Sequence, residues 1–132
     1  MNDWAGFLAL ARSLAEAPPA EEAKHRSAIS RAYYSAYNDA RRYVRERDLA
    51  FNLSRYDSQH DKVWAWFAST SGALTQVATL GQGLRRKRNQ ADYDVYAPMP
   101  NVKYESGDAV QKANRILTIL DGSRGPTRPP RP

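Results

Sequence analysis

"SAISRAYYSAYNDARRYV", residues 27 to 44, decides how the chain folds. Ile29, Ala32, Tyr33, Ala36, Ala40, Tyr43 and Val44 recur at steps of three and four, the period of one helix face. Ser27, Ala28, Ser30, Ala32, Ser35 and Ala36 keep the middle of that helix thin, so a neighbouring helix can approach closely. The spacing predicts one long helix over roughly residues 20 to 47.

Helical signals continue on both sides. "NDWAGFLALARSLAEA" sets Trp4, Phe7, Leu8, Ala11, Leu14 and Ala15 on one stripe, with Asn2 or Asp3 as N-cap. Pro18 and Pro19 stop that helix and fit the first turn of the long one, where Glu21 and Glu22 favour the positive dipole end. "LAFNLSRYD" (49–57) reads as a loop, and Asp57 or Ser58 caps a short third helix in which Val63, Trp64 and Phe67 face inward. After "STSG" a fourth helix carries Ala73 or Leu74, Val77, Leu80 with Gly81, and Leu84. "DYDVYAPMPNVKY" (92–104) reads as a loop broken by Pro98 and Pro100. Ser106 or Asp108 caps a last helix striped by Val110, Ala113, Ile116, Leu117 and Leu120. The expectation is an all-α, up-and-down bundle of four to five helices over residues 1–121, followed by a disordered, Pro- and Arg-rich tail over 122–132. The tail's Pro-x-x-Pro spacing suits recognition of extended segments, but a solubilising tail explains it as well.

Composition narrows the function. The 132 residues make one domain, and the absence of cysteine excludes disulfides and thiolate metal sites. His25 and His60 are too few and too far apart for a local zinc site, so no metal or cofactor is expected. Asp3 and the missing basic run argue against a secretory signal, and no apolar stretch approaches the length of a membrane span. A cytoplasmic location follows as the default, which makes the sequon at Asn52 irrelevant. A net charge of +6 and a pI near 9.8 suit an acidic partner such as nucleic acid. The positive charge gathers at "ARRYVRER", at "LRRKR" and in the tail.

Two clusters suggest a site. Four residues beyond Leu84 stands Arg88, and three beyond that Ala91, so a continuing helix turns Arg88 inward. An unpaired buried guanidinium is costly, so Arg88 needs Asp92 at i+4, a symmetry mate, or a cleft to line. Arg85, Arg86 and Lys87 are spread around the remaining circumference and read most simply as charges neutralising the carbonyl end of the helix. On the long helix, Arg31, Tyr34, Asn38, Arg42 and Arg45 share a face that can hold phosphates while a ring stacks on a base. The plain alternative is a solvated face with Arg42 paired to Glu46. His60 can act as general acid or base, or simply as a packed polar residue. His25 looks solvent-facing.

"SAISRAYYSAYNDARRYV" followed by "LRRKRNQADYDVY" (84–96), with "QHDKVWAWF" between them, resembles the HEPN domain family. The resemblance spans most of residues 3 to 120. It implies a dimeric bundle of four or five helices, in many members a metal-independent endoribonuclease of toxin–antitoxin or defence type, paired with a nucleotidyltransferase. The family motif is an Arg, a polar residue, and a His after four to six intervening residues. Arg88 and Asn89 match the first half, whereas Tyr93, Asp94 and Val95 stand where the histidine belongs. The expected roles are therefore divided. Arg88 stabilises phosphate, Asn89 and Tyr93 position it, Asp92 or His60 handles protons, and Arg31, Tyr34, Arg42, Arg85 and Arg86 bind RNA. Three functions remain open: RNA cleavage, RNA or nucleotide binding without cleavage, and protein docking. The missing histidine disfavours the first against the second.

Overall fold

The protein, seen in a computed structural model that describes residues 4–48, 58–94 and 98–124, is all helical over those residues. Helix α1 spans Trp4–Ala15, α2 Glu22–Arg47, α3 Ser58–Ala68, α4 Ala73–Tyr93 and α5 Val102–Arg124. The expected caps Asn2, Asp3 and Asp57, the segment 49–57 with its sequon, and the tail from residue 125 lie outside the described residues, as do Val95, Tyr96 and Ala97. No described helix is long and apolar enough to cross a membrane.

Helix α2 touches all four others, whereas among the described residues α3 packs only on α2 and α4, and α1 only on α2 and α5. Its small residues explain this central place. Ala28, Ala32, Ser35, Ala36 and Ala40 are fully buried, and short side chains let other helices approach the backbone. Bulk comes from the partners: Trp64 and Phe67 of α3, Val77 and Leu84 of α4, Ile116 and Leu120 of α5. Burying each such aliphatic or Phe side chain stabilises the fold by about 1.5–3 kcal/mol. The Ser35 hydroxyl donates to the Trp4 carbonyl at 2.6 Å and ties the start of α1 to α2.

Local chemistry departs from the sequence expectations at several points. Pro18 and Pro19 lie in the turn ahead of α2, not in its first turn, and the Pro18 carbonyl accepts from the Glu21 N–H at 3.0 Å. Helix α5 begins at Val102, where Asn101 at φ +60° directs the chain into it; asparagine is one of the few residues that tolerate this conformation. Ser106 is therefore no cap. It is buried inside α5, donates to the Lys103 carbonyl at 2.8 Å and meets His25 Nδ1 at 2.9 Å. His25 is fully buried, not solvent-facing, and its Nε2 donates to the Pro18 carbonyl at 3.0 Å. Two polar residues that satisfy each other look like surface residues in a hydropathy pattern.

The basic run is not a helix end. Helix α4 continues to Tyr93, so Arg85 to Arg88 lie more than a turn inside it. Arg26 of α2 covers the carbonyl end instead. Its Nη1 donates to the carbonyls of Gln90, Ala91 and Asp94 at 3.2, 3.1 and 3.3 Å, and its Nε to Glu22 at 2.7 Å. Arg85 pairs with Asp61 of α3, and Lys87 with Glu105 of α5 at 2.9 Å.

Gly122, Ser123 and Arg124, which the sequence reading assigns to the tail, complete α5. Arg124 bonds Asp39 and Glu46, both at 3.1 Å, and anchors the helix end to α2. Burial works to raise the Glu46 carboxyl, but the bonds and charges of Arg124 and Arg42 outweigh it and hold it below the ordinary glutamate range. A carboxyl lowered in the folded state stabilises the fold above its unfolded pKa, and that contribution is lost as pH falls through the folded value. Arg124→Ala should therefore remove part of the stability lost between about pH 5 and about pH 3, as thermal melts across that range will register.

Candidate functional site

Val77, Gly81, Leu84, Arg88 and Ala91 form the buried stripe of α4, and a guanidinium stands where the stripe calls for an apolar side chain. Arg88 is 5% exposed. No carboxylate pairs with it among the described residues; Asp92 accepts from the Ser30 hydroxyl at 3.0 Å instead. Arg88 Nη1 donates to the Tyr93 hydroxyl at 3.1 Å, while Nε is buried without a hydrogen-bond partner. Tyrosine rings surround the charge, with centroids 5.2 Å away for Tyr33 and Tyr34 and 5.5 Å for Tyr93. Each ring attracts a cation by about 0.5–2 kcal/mol. Desolvating an ion costs several kcal/mol, so an anion bound here would meet a real electrostatic need.

Arg88 borders a cleft of about 230 Å³ that is also lined by Tyr34, His60, Arg85, Asn89 and Tyr93. Three separate helices thus bring together six of the ten residues expected from the sequence. The volume falls below the roughly 300 Å³ at which small-molecule pockets begin, which suits one group of a larger ligand. Arg85 adds a second cation whose Nε is also buried and unbonded. Its pairing with Asp61, a largely exposed carboxylate, is open to exchange with a competing anion.

His60 is held by groups that the sequence reading treats only as core. The Trp64 indole N–H donates to the Tyr33 hydroxyl at 3.2 Å, and that hydroxyl lies 2.6 Å from His60 Nδ1. Burial raises the Tyr33 pKa, and the Trp64 bond with the Arg85 and Arg88 charges only partly counters it, so the phenol stays neutral. With one proton and a second acceptor site left after the Trp64 bond, the phenol can donate to a bare Nδ1 or accept from an Nδ1–H. Tyr37 stacks on the imidazole at 3.9 Å with the planes 4° apart. Tyr33→Phe should cost about 1 kcal/mol of stability and, by removing the hydroxyl at Nδ1, shift the tautomer balance of His60. Histidine nitrogen chemical shifts report this directly, and an unchanged tautomer would deny Tyr33 that role.

The other four residues lie elsewhere. Arg31 and Asp92 line a neighbouring groove of about 670 Å³, to which Tyr34 also contributes. Arg86 faces a separate depression between α4 and α5. Arg42 bonds Glu46 at 3.2 Å, the solvated ion pair weighed as the plain alternative. Sequence reasoning missed the roles of Tyr33, Tyr37 and Trp64. The available signal was chemical: a buried tyrosine hydroxyl or tryptophan N–H requires a partner. No group of three His, Cys, Asp or Glu residues comes together as a metal site needs among the described residues.

No family model, curated protein or solved structure matches the chain. Functional inference therefore rests on the chemistry of this cleft and on the residues of the two motif segments.

Proposed function

We propose that the chain is an HEPN-like RNA-associated protein whose Arg88 cleft binds a phosphodiester of single-stranded RNA. The observation that carries this reading is the buried Arg88 guanidinium, which has no carboxylate partner among the described residues and borders a small polar cleft. Arg85 adds charge, Asn89 an amide donor and Tyr93 a hydroxyl, all groups that hold phosphate oxygens. The resemblance of residues 27–44 and 84–96 supports the same class and brings with it a toxin–antitoxin or defence role. A homodimer and a nucleotidyltransferase partner belong to that reading, with light scattering and co-purification as their tests.

His60 favours a second reading, metal-independent cleavage, because it lines the cleft beside Arg88 although the motif itself lacks a histidine. In that reaction the ribose 2′-hydroxyl attacks phosphorus and loses its proton to water. The P–O5′ bond breaks, and an imidazolium form of His60 gives the Nε2 proton to the leaving oxygen. The products are a 2′,3′-cyclic phosphate and a 5′-hydroxyl. Against this, the motif itself lacks its histidine, with Tyr93, Asp94 and Val95 at the expected positions, so no second proton-transfer group accompanies Arg88 there. Binding without cleavage is therefore the conclusion.

End-labelled RNA incubated in EDTA with wild type, Arg88→Ala and His60→Ala separates the readings. Binding that falls steeply with salt and depends on Arg88, with no cleavage at saturation, is the expected result. Cyclic-phosphate ends lost in both variants would establish the nuclease. Absence of RNA binding would defeat both.

A further inference from the structure

The groove next to the Arg88 cleft shares Tyr34 with it but has different chemistry. At about 670 Å³ it lies within the range of small-molecule sites. Trp4 and Phe7 stack on each other there with centroids 5.5 Å apart, and Phe7 and Tyr34 remain 44% and 37% exposed. Opposite signs of charge meet at its walls: Arg26 and Arg31 from α2 and Asp92 from α4, with Arg26 already engaged by Glu22 and the last carbonyls of α4. Asp92 is half-buried, and its Oδ2 accepts from Ser30 at 3.0 Å. Each carboxylate oxygen has two lone pairs, so both keep acceptor capacity.

Charge sorts the two hollows. The cleft has two arginines and no carboxylate among the described residues of its lining and draws a phosphate, whereas the groove adds to Arg31 an acceptor-only carboxylate beside aromatic faces, which attracts the N–H edge of a flat ring. We propose that this groove is the base subsite of the same RNA-binding surface and that it selects guanine. The inference deepens the RNA-binding reading and rests on it for the neighbouring phosphate. Guanine alone presents two adjacent donor groups, N1–H and the 2-amino group, matching the two oxygens of one carboxylate. Adenine and cytosine offer an amino donor beside a ring acceptor. Uracil offers one N3–H between two carbonyl oxygens, which the carboxylate repels. The base stacks on Phe7 or Tyr34, and Arg31 meets the next phosphate along the strand.

Titration calorimetry with the four nucleoside 3′-monophosphates at low salt tests this. The guanine nucleotide should bind at least about tenfold more tightly than the uracil nucleotide, the discrimination of one bidentate pair. Asp92→Asn, which can still accept from Ser30, should erase that preference. Phe7→Ala, at an exposed position, should weaken all four nucleotides about fivefold or more. Arg88→Ala should weaken all four alike and leave the preference intact. Equal affinities in the wild type overturn the proposal without any variant, as does a guanine preference that survives Asp92→Asn. A preference that depends on Asp92, with affinities unmoved by Arg88→Ala, keeps the base subsite and overturns the phosphate reading. No binding of any of the four overturns both.

Discussion

Replacing Arg88 by methionine should lower RNA affinity about tenfold or more and leave the protein as stable as before, or up to about 2 kcal/mol more stable. Removing one member of a buried ion pair ordinarily costs 3–5 kcal/mol, roughly, because the other charge is left uncompensated. Arg88 leaves no such charge behind among the described residues, where its guanidinium meets three tyrosine rings and one hydroxyl and no carboxylate. Methionine fills a similar stem volume and packs well against aromatic faces. What disappears is a charge-assisted contact to phosphate, together with the desolvation cost of the guanidinium. Denaturant melts and salt-titrated RNA binding on the same preparation measure both quantities. A stability loss of about 3 kcal/mol or more would make Arg88 a structural residue held by its tyrosines and would remove the main support for the site.

Gly81→Ala should destabilise the protein by about 3 kcal/mol and lower its melting midpoint by roughly 10 °C. Helix α4 meets α3 at this glycine, where an added Cβ would overlap the six-membered ring of Trp64. Trp64 is fully buried and cannot swing into solvent. The helices must separate, or the indole must tilt and carry its N–H away from Tyr33. Gly83→Ala is the control. Its Cβ would find only Arg86 Nη2 at 3.8 Å, so helix propensity should raise stability by about 0.5–1 kcal/mol. Histidine nitrogen shifts of Gly81→Ala would further show whether displacing Trp64 disturbs His60 through Tyr33. Equal melting points for the two alanine variants would contradict the close approach.

Much of the site was legible as single residues. Arg88 could be placed inward because Val77, Leu84 and Ala91 define the stripe it interrupts, and that register depends only on local helical period. Asn89 and Tyr93 came from the motif segment, and His60 from its chemistry. Their neighbours were not legible. Asp92 looked like the partner of Arg88 at i+4, but the guanidinium turns into the tyrosine cage while Asp92 meets Ser30 of α2. Arg85, Arg86 and Lys87 looked like a helix end because nothing in the sequence announced that Arg26, more than sixty residues away, would cover the last carbonyls of α4.

The sequence by itself determined an all-helical chain, its helical stripes and the inward direction of Arg88. These follow from a repeat of about 3.6 residues that needs no knowledge of distant parts. Tertiary structure alone decided that His60 and Tyr34 would line the cleft with Arg88, that Tyr33, bonded by Trp64, would meet the imidazole of His60, and that Asp92 would line a second groove. Those outcomes depend on how α1, α3 and α4 dock around the small-residue faces of α2, and long-range docking is set by packing volume rather than local period.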